Sequence, residues 1–79
     1  MYYVYILECA DTTLYTGITT DLERRLDEHN NSTKGAKYTR ARRPVKLVYS
    51  EELTNRSEAS KREYYIKKLR RKDKVNIFN

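Results

Sequence analysis

Residues 2 to 8, YYVYILE, carry apolar side chains on both sides of an extended chain. Tyr3, Tyr5 and Leu7 fall on one face and Tyr2, Val4 and Ile6 on the other. Aromatic and β-branched residues without a breaker predict a central strand covered on both faces. Ala10-Asp11-Thr12 supplies turn chemistry, and Leu14 to Ile18 returns as a second strand, so the two form a hairpin. Gly17, near the end of that strand, permits close approach of another backbone or a ligand. Thr20, with Glu23 three residues on, has the spacing of a capping box. The helix that follows places Leu22, Leu26 and His29 at steps of four and three, with Arg25 four before His29. It should stop in Asn30-Asn31-Ser32.

A basic loop containing Gly35 and closed by Pro44 comes next, then a third strand over Val45 to Tyr49. Asn55, with Glu58 at the third position after it, should cap a second long helix. The inward stripe of that helix reads Ala59, Glu63, Ile66 and Leu69. A carboxylate stands where an apolar residue belongs, and glutamate is almost never fully buried unless paired. Lys72 to Phe78 could add a short final helix. The order β-β-α-β-α-α suits an α+β fold, a small three-stranded antiparallel sheet flanked by helices. Seventy-nine residues without repeat or linker predict one domain over 1–79.

Composition adds a polar character to this core. Eight tyrosines stand against one phenylalanine and no tryptophan, and buried phenols need hydrogen-bond partners. Cys9 is alone, so it reads as a small core residue, with no intrachain disulfide. No segment approaches the roughly 20 apolar residues that span a bilayer, so a cytoplasmic protein without a membrane partner is expected.

Charge narrows the choice of partner. The net charge is +6. Between Glu28 and Glu51 lies no acidic residue, while Lys34, Lys37, Arg40, Arg42, Arg43 and Lys46 all fall there. A second basic run extends from Lys61 to Lys74. Such blocks repel themselves unless an anion neutralises them, and nucleic acid is the anion that fits.

Tyr5, Tyr15, Arg25, His29 and Glu63 are the candidate chemistry. Each has a plainer explanation: strand tyrosines as core, His29 as a satisfied structural residue, Arg25 as a solvated face. Glu63 could simply pair with Arg25 as a buried salt bridge, which says little about function.

Together these residues resemble the GIY-YIG nuclease superfamily, in its small stand-alone bacterial type. Val4-Tyr5-Ile6 matches the first signature and Tyr15-Thr16-Gly17 the second. Val4 stands where the family name has Gly, and Thr16 where it has Ile. Asp21-Leu22-Glu23-Arg24-Arg25-Leu26 matches the helix arginine at Arg25, and Ala59-Ser60-Lys61-Arg62-Glu63 the later glutamate. Glu28-His29-Asn30 and Gly35-Ala36-Lys37-Tyr38-Thr39 are similar to the small subgroup in particular. Asn76 lies where many members carry an asparagine but is not counted in the site.

The resemblance implies an endonuclease that hydrolyses a DNA or RNA phosphodiester, DNA being the first expectation, at one Mg2+ or Mn2+ ion. It implies structure-dependent or weakly sequence-specific cutting in DNA repair or processing, with a protein partner as one source of specificity. It makes Tyr5, Tyr15, Arg25, His29 and Glu63 the catalytic set and Glu63 the metal ligand. Tyr5 would orient or deprotonate the attacking water, with nearby cations lowering its pKa. Arg25 would stabilise phosphoryl charge. Lys34, Lys37, Arg40, Arg42 and Arg43 would hold the phosphate backbone. The alternative is a nucleic-acid-binding module that keeps the fold without catalysis, in which the same tyrosines stack on bases.

Overall fold

The computed structural model describes residues 1–78. Three strands, β1 (Tyr2–Glu8), β2 (Leu14–Thr19) and β3 (Lys46–Leu53), form one antiparallel sheet in the order β2-β1-β3. The strand with two apolar faces is therefore the central one, as its pattern predicts. Val4 and Ile6 pack on one face against Ala59 and Ile66 of α3 (Arg56–Lys68), with Ile77 and Phe78 of α4 (Arg71–Phe78) alongside. Tyr5 and Leu7 pack on the other with Cys9 and Val45, under Leu22 and Leu26 of α1 (Leu22–Asn31). Full burial of a Val or Ile side chain stabilises by roughly 1.5–3 kcal/mol. Truncating Ile6, completely buried at the sheet centre, to Ala should cost about 2–5 kcal/mol.

Several elements differ from the sequence expectation, β2 running one residue further to Thr19 and β3 beginning at Lys46 instead of Val45. Asp21, not Thr20, caps α1, its carboxylate accepting the Arg24 N–H at 3.0 Å. The expected cap slips one residue because both side chains are capping types. The basic loop holds a four-residue helix, α2 (Lys37–Arg40), so the order is β-β-α-α-β-α-α. No apolar period announces it; Thr39 holds it from inside by donating to the Ala36 carbonyl at 2.9 Å. β3 runs on to Leu53 because Leu53 and Glu52 pair with Tyr2 and Tyr3. Within that extension Glu51 is held by Arg62 of α3 at 2.7 Å. The last helix begins at Arg71, one residue before the expected start. Asn55 caps α3 as expected, accepting the Glu58 N–H at 2.9 Å.

The loop after α1 is tied down by Arg43, whose guanidinium donates to the carbonyls of Glu28, His29 and Ser32. The Glu28 carbonyl also takes the Ser32 N–H; all three lie at the helix C-terminus, where carbonyls run out of helical partners and a cation meets the negative end of the helix dipole. Gly35 lies so close beneath that a Cβ there would sit 2.6 Å from the Glu28 carbonyl oxygen. Together these contacts bring α2 over the inner face of α1. No described helix is long and apolar enough to cross a membrane.

Candidate active site

Tyr5 projects from β1 onto the face covered by α1, and Gly17 stands opposite it on β2. A Cβ at position 17 would lie 2.6 Å from Cζ of the Tyr5 ring and closer still to its oxygen. The missing side chain is the space the phenol occupies.

The Tyr5 hydroxyl lies 2.8 Å from Nε2 of His29, and Nδ1 of His29 lies 2.8 Å from Oγ1 of Thr39. His29 and Thr39 are both completely buried. The Thr39 hydroxyl has one hydrogen and donates it to the Ala36 carbonyl. Its oxygen therefore accepts from Nδ1–H, which leaves the Nε2 lone pair to accept the Tyr5 O–H. The Ala36 N–H also approaches Nδ1, at 3.4 Å, a contact that would need the other tautomer. The two shorter bonds decide for Nδ1–H. The result is a directed chain from the Tyr5 phenol through His29 and Thr39 to the backbone.

Both rings are neutral at pH 7. Burial, reinforced by the Arg25 charge, pushes His29 down to about 4. Burial raises Tyr5 to about 12, outweighing the favourable influence of Arg25 on the phenolate. The expectation that neighbouring cations bring this phenol below its ordinary value is thus reversed: Tyr15 and Glu63 push the same way as burial.

Arg25 does not pair with Glu63. Its Nη1 group donates to Glu28 at 2.9 Å and to the Lys34 carbonyl at 2.9 Å. The guanidinium also neighbours the Tyr5 hydroxyl, whose charged form it favours, so one side of the fork is fixed by Glu28 and Lys34 and the group borders the phenol. Glu63 sits one turn from the fully buried Ala59 and Ile66, with its side chain 23% exposed. Its partner is Lys67, at 3.3 Å. Lys67 Nζ also lies 5.9 Å above the Tyr15 ring. Tyr15 meets His29 edge-on, with ring centroids 5.3 Å apart, and stacks on Tyr38 of α2 at 6.0 Å. The five expected residues therefore share one neighbourhood: Tyr5, Tyr15 and His29 in contact, Arg25 and Glu63 at its border.

The basic segment divides in two. Lys34, Lys37 and Arg40 are exposed and make no side-chain ion pair among the described residues. Arg43 is committed to the end of α1. Arg42 donates to Asp11 and to the Tyr38 carbonyl while covering the Tyr38 ring at 3.8 Å.

A model of the GIY-YIG catalytic domain matches residues 1–76. The chain belongs to the GIY-YIG family. That domain is typically an endonuclease and generally uses divalent metal ions. A UPF0213 protein from Desulfotalea psychrophila is 68% identical over 68 residues, covering 86% of this chain and 62% of the relative. The chain thus spans less than two thirds of that relative's length. One from Clostridium perfringens is 58% identical over 79 residues and is covered over 84% of its length, this chain over all of its own. The solution NMR structure of a UPF0213 protein from Bacillus halodurans matches with TM-score 0.61 at 49% identity, over 98% of this chain and 82% of that one.

Within this GIY-YIG fold, four site neighbours escape a reading of the sequence. Glu28 and Lys67 were visible only as helical spacings, three from Arg25 and four from Glu63, the geometry of neighbouring side chains on one helix. Thr39 and Tyr38 carry no periodic signal and stand out only through their likeness to the small subgroup, because they reach the site through the irregular chain after α1.

The residues present fit a magnesium-type ion and not a protein-caged one. No group of three His, Cys, Asp or Glu among the described residues could hold a metal. A single carboxylate at an open border, leaving most of the shell to water and phosphate oxygens, is what magnesium accepts.

Proposed function

We propose that this chain is a metal-dependent endonuclease that hydrolyses DNA, or RNA, with structure-dependent or weak sequence preference, in DNA repair or processing. The observation that carries the reading is the 2.8 Å bond from the Tyr5 phenol to a buried, neutral His29. A tyrosine of pKa about 12 is no phenolate at neutral pH, but it need not be. A water proton can pass to the Tyr5 oxygen as the phenol proton passes to Nε2 of His29. Thr39 holds the ring so that the lone pair faces Tyr5. The Arg25 charge is one reason His29 resists protonation, so a phosphate seated on Arg25 makes the ring a better base.

Glu63 is the residue that would hold the ion, releasing Lys67 as it does so. The bound cation, Mg2+ or Mn2+, would supply charge to acidify the water and steady the phosphoryl oxygens. Arg25, beside the Tyr5 hydroxyl, presents its guanidinium to the same oxygens. Lys34, Lys37 and Arg40 hold the phosphate backbone from the exposed loop, a contact that reads no sequence.

The Glu63–Lys67 pair favours a second reading, a binding module whose carboxylate is already neutralised. Two variants separate the readings. Glu63→Gln removes the carboxylate charge, and Tyr5→Phe removes the hydroxyl. Branched, nicked, single-stranded and duplex substrates are incubated with each protein, with and without Mg2+. On the nuclease reading, Glu63→Gln loses Mg2+-dependent cleavage while still shifting nucleic acid on a gel. Tyr5→Phe slows cleavage by roughly 10² or more, the range of a lost general base, at similar affinity. Wild-type turnover in both variants would overturn the roles of Glu63 and Tyr5, whereas no cleavage by the native protein on any substrate would leave the binding module.

A further inference from the structure

A second basic feature lies outside the residues used so far. At the start of α4, Arg71 and Lys74 are three residues apart and so share one face of the helix. That face closes an open hollow of about 190 Å3, whose other walls are Thr13, Leu14 and Tyr38. With liquid water at about 30 Å3 per molecule, this is room for roughly six waters or one hydrated phosphate group. Arg71 also donates to the carbonyl of Thr12, the one non-glycine residue with positive φ (+69°) among those described. The guanidinium is thereby fixed at the rim.

No described carboxylate forms an ion pair with Arg71 or Lys74. Asp11, near the hollow, is taken by Arg42, and Glu63 by Lys67. Burial and then the neighbouring charge of Lys67 hold the Lys74 amine below its usual pKa. Two cations converging on a hollow of mixed polar and apolar lining, without a counter-charge, favour an anion there. The hollow is also one ring away from the catalytic face. Tyr38, its wall, stacks on Tyr15, which meets His29 edge-on.

We infer that Arg71 and Lys74, with Thr13 and Tyr38, form a backbone-phosphate subsite that seats a phosphate flanking the one at Tyr5. The subsite rests on the nucleic-acid reading above, and it gives the strand a direction: from the exposed α2 loop, across Tyr15, to α4. Arg71 acts as the rigid fork and Lys74 as a movable point charge. A phosphate between them would relieve the repulsion between Lys74 and Lys67.

The test is a salt titration of binding without divalent ion, on duplex and on single-stranded oligonucleotides. Lys74→Met keeps the aliphatic stem and removes the charge; Lys61→Met removes an exposed cation elsewhere on α3, one paired with Glu58. Lys74→Met should bind several-fold more weakly, with the slope of log K against log salt reduced by about 0.9 on duplex or about 0.7 on single strands. Lys61→Met should keep the native slope. Amide NMR signals of Thr13, Leu14 and Lys74 should move when oligothymidylate is added to the native protein. An unchanged slope in Lys74→Met, an equal loss in Lys61→Met, or unmoved Thr13 and Leu14 signals would each overturn the subsite. Failure of the nuclease reading shows separately. Native protein that binds in this way yet cleaves nothing with Mg2+ keeps the subsite and loses the catalysis, whereas cleavage with an unchanged Lys74→Met slope removes only the subsite.

Discussion

Gly17 and Tyr5 face each other across β2 and β1, and the Tyr5 phenol fills the volume that any side chain at position 17 would need. Gly17→Ala must therefore move the ring, since the alternative is displacement of a central strand. The hydroxyl then loses its 2.8 Å bond to His29, and a buried acceptor left unmatched costs about 1–3 kcal/mol. Chemical denaturation should show a loss of that order, and cleavage should fall at least as far as in Tyr5→Phe. Native activity in Gly17→Ala would show that the phenol's position is not needed.

His29 makes the fold acid-sensitive in a defined window. Its pKa falls from the ordinary 6.5 to about 4 on folding, so between those values the unfolded chain binds the proton and the folded chain does not. Stability is full above pH 6.5, declines as pH drops below it, and has lost the whole contribution by about pH 4. At 1.36 kcal/mol per unit the loss is roughly 3 kcal/mol. The imidazole C–H signals of the folded protein should stay unshifted from pH 8 down to pH 5. A midpoint near 6.5 would contradict the burial and the tautomer together.

Thr16 carries the one buried side-chain polar atom without a partner among the described residues. It lies opposite Ile6, on the aliphatic face of the sheet. Thr16→Val keeps the shape and deletes the hydroxyl, so it should stabilise by about 1 kcal/mol. In a domain of this size that raises the melting temperature by roughly 4–8 °C. A lower melting temperature would mean that the hydroxyl is satisfied after all.

The loop cations should divide by role. Replacing Lys34, Lys37 and Arg40 together by Ser should lower the salt slope of duplex binding by about 0.9 for each phosphate no longer neutralised, with little change in melting. Arg43→Ser removes donors from three carbonyls at the end of α1 and should destabilise by on the order of 2 kcal/mol. A reversed pattern would relocate the electrostatic footprint.

That division marks the limit of what the sequence can say. A run of arginines reads as free charge, and only tertiary structure shows that Arg42 and Arg43 spend their donors on Tyr38, Asp11 and α1. The two-faced pattern of β1 was legible because both sheet faces are covered and alternation has nowhere else to come from. Glu63 was legible as a misfit in an apolar stripe, although its partner Lys67 was not identified from the sequence. Thr39 was legible only as part of a segment similar to the small subgroup; its contact with His29, ten residues away through a turn with no period, was not. The length of β3 was hidden too, since its last residues pair with β1 through backbone groups that any side chain would allow.

The strand order has a consequence for synthesis. β1 is made before β2 and β3 but lies in the middle of the sheet, between them. Its hairpin with β2 can close early, because the partners are neighbours in sequence. The other edge of β1 stays open until residues 46–53 have emerged and must be reached across the whole α1–α2 segment. Closing so long a loop is slow compared with a hairpin. Until then the nascent chain exposes an unpaired strand edge, a surface prone to pair with other chains. A pause before residues 46–53 have emerged should prolong that exposure, whereas a pause after they have emerged should not.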